Sequence, residues 1–378
     1  MDANQPKISK PRLMSLDALR GFDMFWILGG EALFVGLLAW TGWQGWQIAD
    51  AQMKHSVWHG FTFYDLIFPL FIFLSGVALG LSPKRLDKLP MSARLPLYRH
   101  SFKRLGLLLI FGVLYNHGWG VGAPAAADEL RYASVLGRIA FAWFFAAMLV
   151  WHTALRTQII IAILILVGYA FLQLFMPVPG GVAGDLSMAG SINAYVDSHL
   201  LPGISYQGQP TDPEGVLSTL PAVVNALAGV FTGHFIVKQH PKGDWAKVGI
   251  LMLAGAAVLA IGWLCDGFLP VNKDLWTSSF VLVTTGWSLL LLGVFYALID
   301  VLKLQRLAFV FVVIGCNAII IYLASSLVNW IYVARSIFGG FIQALPESMH
   351  LLAGTLALLT VQWFLLYWMY KRNIFIKV

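Results

Sequence analysis

The chain has 378 residues, 59% hydrophobic and only 11% charged, with a mean hydropathy of +0.75. Soluble domains carry about 25% charged residues, so a water-soluble enzyme, a coiled coil and a nucleic-acid-binding domain are excluded at the outset, despite a formal charge of +7. The two cysteines, Cys265 and Cys316, belong to separate apolar stretches and offer neither a disulfide framework nor a metal-ligand pattern.

About ten apolar runs follow, each close to the ~20 residues that a ~30 Å hydrocarbon core requires. In chain order they are 15–39, 61–81, 104–122, 134–152, 156–176, 216–236, 246–264, 277–299, 307–330 and 350–370. The predicted fold is an all-α polytopic membrane protein, one bundle of about ten transmembrane helices forming a single domain over 1–378. The first run is long and lacks a small-residue cleavage site after it, so it reads as a span and not as a secretory signal. Pro69, in the middle of the second run, is expected to bend it. The stretch 331–349, around Phe338-Gly-Gly-Phe341, reads as a re-entrant or interfacial element.

The basic residues orient the bundle. Nineteen lie on one side: Lys7, Lys10 and Arg12 before the first span, seven over 84–104, and the rest in later connections and the tail. The opposite loops hold four, Lys54, Arg131, Lys273 and Arg335. By the positive-inside rule both termini are expected in the cytoplasm. The longest outer loop, 177–215, has no Lys or Arg but carries Asp185, Asp197, Asp212 and Glu214 among Gly, Pro and Ser. It reads as an extracytoplasmic lid.

Charges within apolar spans are costly and should face a cavity or each other. Asp17 and Arg20 are three residues apart on one helical face and can pair, either as an interfacial anchor or as a cytoplasm-facing site that grips phosphate. Arg99, Lys103 and Arg104 lie near the same face of the membrane. Asp23 and Glu31 are two turns apart farther along the first span. At the outer mouth of the second span, His55 and His59 would share a face if helical. Gly60 breaks that run and no third ligand is near, so no metal is expected. A histidine close to a carboxylate such as Asp65 is instead the usual route to a general base or nucleophile near neutral pH. Asn116, Arg138, Asp212 and Glu214 are further polar residues at that side. The acidic pair could alternatively cap the helix after it, and Asn317 is read as glue between helices.

Several stretches together resemble the heparan-alpha-glucosaminide N-acetyltransferase family and its bacterial members within the transmembrane acyltransferases. They are Ser15-Leu-Asp-Ala-Leu-Arg-Gly-Phe-Asp23, Lys54-His-Ser-Val-Trp-His-Gly60 with Asp65-Leu-Ile-Phe-Pro69, Asp212-Pro-Glu-Gly-Val-Leu-Ser-Thr-Leu-Pro221, Val271-Asn-Lys-Asp-Leu-Trp-Thr-Ser-Ser279 and Gly315-Cys-Asn-Ala318. The resemblance implies an enzyme of the bacterial inner membrane that moves an acetyl group from cytoplasmic acetyl-CoA, its co-substrate, to the amine of a glucosamine-type amino sugar outside. On this resemblance a counterpart of the animal enzymes' lumenal N-terminal domain is not expected, and an envelope or recycled amino sugar is the expected acceptor, not heparan sulfate. His55 matches the proposed catalytic histidine; His59 replaces an asparagine, and Glu31 stands where the relative has a functionally implicated asparagine.

On that reading His55 is the general base, or a nucleophile forming an acyl-imidazole, with direct transfer preferred. Asp65 or Glu31 orients it, and Asn116 or Arg138 stabilises the oxyanion. Arg20, Arg99, Lys103 and Arg104 hold the CoA phosphates some 20–30 Å away near the inner face, a distance set by bilayer thickness. His59, Asn116, Arg138, Asp212 and Glu214 line the acceptor site. A homodimer is the assembly implied, and membrane lipids are expected partners. The alternative is a proton-coupled transporter of a small sugar or anion, whose mark would be internal repeats or paired broken helices. The sequence shows neither.

Overall fold

In a computed structural model, which describes residues 13–82, 85, 86, 89–117 and 126–376, the first apolar run is not one straight helix. Helix α1 (Met14–Phe25) starts where Asp300 accepts the Ser15 N–H at 3.1 Å. It passes through a π-helical turn, Trp26–Gly30, and breaks; α2 (Ala32–Thr41) departs at 57°. Gly29 holds φ 120°, a backbone conformation that a side chain would strain, so the Gly29-Gly30 pair sets the break. After α3 (Gly45–Gln52) no helix covers 53–62. The condition for His55 and His59 to share a helical face is therefore not met.

Helix α4 (Phe63–Gly80) opens with a capping box: Thr62 accepts from the backbone at Asp65, and Asp65 accepts from the backbone of Thr62. It continues as one helix through Pro69. Helix α5 (Met91–His117) begins thirteen residues before the predicted span. Next come α6 (Val135–His152), α7 (Leu155–Phe175), the short α8 (Ile192–Leu200) inside the 177–215 segment, α9 (Thr219–Val237) and α10 (Gly243–Asp266). Helix α11 (Ser278–Phe295) ends in a π-helical turn, and α12 (Gln305–Cys316) and α13 (Ala318–Leu327) meet at 62°. Helix α14 (Trp330–Gln343) fills the stretch read as re-entrant or interfacial; fourteen residues, about 21 Å, are too few to cross the bilayer. It leaves Ile331, Tyr332, Ile337 and Phe341 exposed and is followed by α15 (His350–Lys371).

Among the described residues seven helices are long and apolar enough to cross a membrane, or nine if each bent pair is one span. The chain is thus a polytopic membrane protein. Of the expected ten spans, 104–122 is outside that set: its residues 118–122 lie outside the described residues, and α5 carries Arg94, Arg99, Lys103 and Arg104 in its first half. The bundle centres on α4, 72% of whose apolar window is buried, whereas for α10 at the periphery the share is 17%. Helices α4 and α9 meet through two small-residue pairs, Gly76 with Gly80 and Gly229 with Gly233. A Cβ at any of the four would overlap a backbone carbonyl of the partner helix, which is how apolar helices approach closely in lipid.

After α15 the chain turns at Asn373 (φ 54°) and folds back. Asn317, at the α12–α13 break, donates to the Ile374 carbonyl at 2.9 Å and accepts the Ile376 N–H at 3.1 Å. Its amide holds the tail and does not join two spans. Phe375 and Met14 pack on one apolar cluster around Ala18, so both ends of the described chain sit at one end of the bundle. Lys7, Lys10, Arg12, Lys84, Lys88 and Lys377, used to orient the bundle, lie outside the described residues.

Candidate active site

One face of α4 lines a central cavity of about 1310 Å³. Its lining residues Tyr64, Ile67, Phe68, Phe71, Ser75 and Ala78 recur every three or four positions, so the cavity follows this helix for about 21 Å. Both broken pairs contribute to the wall: Met24 and Ile27 from the first, Cys316 and Ala318 from the second.

At the end nearer the termini, the cavity is bordered by Asp17, Arg20 and Arg104. The expected i, i+3 pair forms, with Arg20 Nη1 3.6 Å from Asp17 Oδ1, and Arg20 Nη2 donates to the Leu74 carbonyl at 3.3 Å. Arg104 lies with its guanidinium 4.1 Å above the Trp143 ring. Two guanidiniums bordering one cavity repel each other and favour an anion between them. Arg99 and Lys103 are exposed on α5 and do not border the cavity. The contact with Leu74, nine residues along α4 from Asp65, puts Arg20 about 14 Å below the other polar end. That is shorter than the 20–30 Å expected, because Arg20 reaches inward to mid-bundle instead of toward the interface.

At the far end the cavity reaches His55, Ser56, Lys273 and Asp274. Asp65 is fully buried and its Oδ1 lies 2.7 Å from His55 Nδ1. Its Oδ2 accepts the Ser56 N–H at 3.2 Å, the Thr62 N–H at 3.0 Å and the Thr62 hydroxyl at 3.1 Å. A carboxylate so fixed holds the proton on Nδ1 and leaves the Nε2 lone pair free, the arrangement of a general base. The imidazole packs on Tyr64, ring centroids 4.8 Å apart. Of the two carboxylates read as orienting groups, Asp65 does so. Glu31 is at the α1–α2 break and is not on the cavity wall.

His59 points elsewhere: its Nδ1 is 3.4 Å from the Asn272 amide, and it does not line the cavity. Burial lowers its pKa, with Asp266 opposing. Asn116 lines the cavity but spends both amide hydrogens on the Arg131 and Ala133 carbonyls, at 3.2 and 2.6 Å, leaving none for an oxyanion. Arg138 is 2% exposed, lies 4.6 Å over the Trp276 ring and bonds Ser218; it stands outside the cavity. Asp212 and Glu214 do not cap α9. Both take Arg131, Asp212 in two bonds at 3.0 and 2.6 Å, and only Glu214 reaches the cavity. Burial works against the Arg131 charge, but its bonds to Asp212 and Glu214 prevail and raise its pKa. The segment 177–215 adds Met188, Tyr206 and Gln209 to the wall, and its Leu186 carbonyl accepts the Trp58 indole N–H at 2.9 Å.

Three site residues were not singled out from sequence: Arg131, Lys273 and Asp274, counted only as loop charges or as part of a motif. The signal for Lys273 and Asp274 was available in the Val271–Ser279 stretch, where two charges stand inside an otherwise uncharged run; Arg131 had no such local signal.

Fold and site together define a helical membrane protein with a buried carboxylate–histidine pair at one end of a deep internal cavity and two arginines at the other. No family model matches the chain. It is 26% identical to heparan-alpha-glucosaminide N-acetyltransferase of Homo sapiens over 363 residues, covering 82% of this chain and 52% of that protein. To the enzyme of the same name from Mus musculus it is 26% identical over 388 residues, covering 86% and 56%. The chain spans about half the length of the curated relatives it matches, and it is distantly related to them.

Proposed function

We propose that the protein is a transmembrane acetyltransferase that carries an acetyl group from cytoplasmic acetyl-CoA to the amine of a glucosamine-type sugar on the other side. One observation carries the reading: Arg20 and Arg104 border the same cavity as His55. The ~14 Å along α4 between Leu74, which Arg20 touches, and Asp65 matches an extended pantetheine arm, whose thirteen or so chain atoms equal roughly four residues of extended peptide at ~3.5 Å each. With its phosphates on the two arginines, the thioester arrives beside His55.

There the amine nitrogen attacks the thioester carbonyl and His55 Nε2 takes its proton. The C–N bond forms, the C–S bond breaks, and the imidazolium returns the proton to the departing thiolate. Asp65 keeps the ring oriented and stabilises its cationic form. Since Asn116 has spent its amide hydrogens and Arg138 does not border the cavity, the oxyanion falls to Lys273, which forms no ion pair among the described residues and borders the cavity at this end. The distant relationship to two N-acetyltransferases supports the same chemistry. Purified protein given acetyl-CoA and glucosamine should release CoA thiol and N-acetylglucosamine in equal amounts. Absence of both products from folded protein that binds CoA would overturn the proposal.

A second reading has a specific observation in its favour. The α1–α2 and α12–α13 pairs are broken spans, one in each half of the chain, and both line the cavity. Paired discontinuous helices are the mark of a transporter site, and they were not legible in the sequence. Uptake of labelled glucosamine into proteoliposomes without acetyl-CoA would favour transport.

A further inference from the structure

The loop between α10 and α11 is built as a rigid support. Asp266 Oδ1 accepts the Val271 N–H at 2.7 Å, Asn272 Oδ1 accepts the Leu275 N–H at 2.7 Å, and Thr277 Oγ1 accepts the Asn272 N–H at 3.1 Å. Val271, Asn272, Leu275, Trp276 and Thr277 are all fully buried. Trp276 is held at φ 50°, a conformation unusual for a bulky residue, with its indole N–H on Asn225 Oδ1 at 3.0 Å. From this buried loop only Lys273 and Asp274 reach the cavity, at the His55 end.

Glu31 Oε2 is buried without a hydrogen-bond partner among the described residues but stands off the cavity wall, and the other acids on that side, Asp274 apart, are engaged by the protein. Asp65 is taken by His55, Ser56 and Thr62, and Asp212 and Glu214 by Arg131. Asp197 accepts the Asp212 and Val216 N–H groups. Asp274 alone of the acids on the cavity wall at this end has no hydrogen bond or ion pair from its carboxyl among the described residues, and it forms none with Lys273.

We propose that Asp274 binds the ammonium group of the acceptor, so that the site selects a cationic amino sugar over neutral sugars; this rests on the acetyltransferase reading. A ligand cation supplies the charge-assisted hydrogen bonds that the protein leaves open. Burial pushes the Asp274 carboxyl up, Glu214 and Asp65 add to the effect, and Lys273 and His55 oppose it. A cation at this position therefore relieves the group. The bound ammonium sheds one proton to solvent at this open end, where His55 is 47% exposed, and His55 Nε2 takes the second as the freed amine forms the C–N bond.

The test compares wild type with Asp274→Asn and Asp274→Glu, using glucosamine and the neutral amine aniline as acceptors. Asp274→Asn should raise KM for glucosamine by about 10- to 100-fold, the scale of one hydrogen bond to a charged group. The preference for glucosamine over aniline in kcat/KM should fall by a similar factor, KM for acetyl-CoA should stay within about twofold, and Asp274→Glu should recover part of the loss. An unchanged glucosamine KM in Asp274→Asn overturns the inference while leaving the transferase intact. Equilibrium binding separates the two claims further. If wild type transfers no acetyl group yet prefers glucosamine to N-acetylglucosamine, and Asp274→Asn loses that preference, Asp274 is the ammonium site of a protein with another activity. Equal binding of the two sugars by wild type overturns the inference.

Discussion

Gly21 of α1 and Gly315 of α12 pack backbone against backbone. A Cβ on Gly21 would overlap the Phe311 carbonyl, and one on Gly315 would overlap the carbonyl of Asp17. Asp17 is the residue that pairs with Arg20, so the crossing of the two broken spans sets where the guanidinium stands. Gly315→Ala must push the helices apart, at a cost of about 1–3 kcal/mol, the usual range for overpacking. The expected outcome is a lower melting temperature in detergent together with weaker CoA binding. A variant that melts like wild type and binds CoA normally would show that the crossing is not tight.

For the arginines the expectation is selective. Arg20→Ala and Arg104→Ala should each weaken CoA binding by about 10- to 100-fold, the worth of a charge-assisted contact. Arg99→Ala and Lys103→Ala, on the exposed side of α5, should leave it within about twofold. Calorimetric titration of the four variants decides the matter. Equal losses in all four would indicate a diffuse surface field, with no particular site.

His55→Ala should leave the bundle folded and CoA binding intact, since the side chain is 47% exposed and supports little packing. Acetyl transfer should fall ~10²-fold or more, the scale for losing a positioned acid–base group. His59→Ala should be much milder, because His59 faces Asn272 and not the cavity. Near-normal transfer by His55→Ala would remove it from the chemistry.

Asp212 is wholly buried and depends on Arg131. Arg131→Ala strands that charge, and removing one partner of a buried pair costs about 3–5 kcal/mol. The double variant Arg131→Met with Asp212→Asn should be less destabilised than Arg131→Ala alone, as followed by thermal unfolding. The reverse order would mean that Arg131 acts through packing on Tyr206, whose ring it covers at 4.8 Å.

Orientation in the bilayer is checked by labelling. In a protein freed of Cys265 and Cys316, a cysteine in place of Ser187 should react with an impermeant maleimide in intact cells, and one in place of Ser92 should not. Both positions are exposed, so the outcome reads sidedness directly. Labelling at Ser92 from outside would reverse the topology and put the arginine end of the cavity on the wrong face for cytoplasmic CoA.

Local chemistry in the chain was enough to determine the membrane class, the approximate spans, the Asp17–Arg20 pair and the nearness of His55 to Asp65. Each depends on residues within about ten positions of one another, or on apolar runs whose length the bilayer dictates. The capping box that holds Asp65 is likewise a local pattern, Thr62 three residues ahead. The breaks at Gly29 and Asn317 escaped notice because apolar composition continues across them, and hydropathy carries no information about direction. That His59 and Arg138 lie off the cavity, that Asn116 spends its amide hydrogens on carbonyls, and that Lys273 and Asp274 join His55 on the cavity wall were decided only by tertiary packing. The Asn272 amide meets the Trp58 carbonyl at 2.9 Å across 214 residues of sequence. Nothing in either segment specifies that meeting. It follows from how α4, α9 and α11 pack around their small residues, and a side chain's neighbours across a bundle are fixed by that packing and not by its own position in the chain.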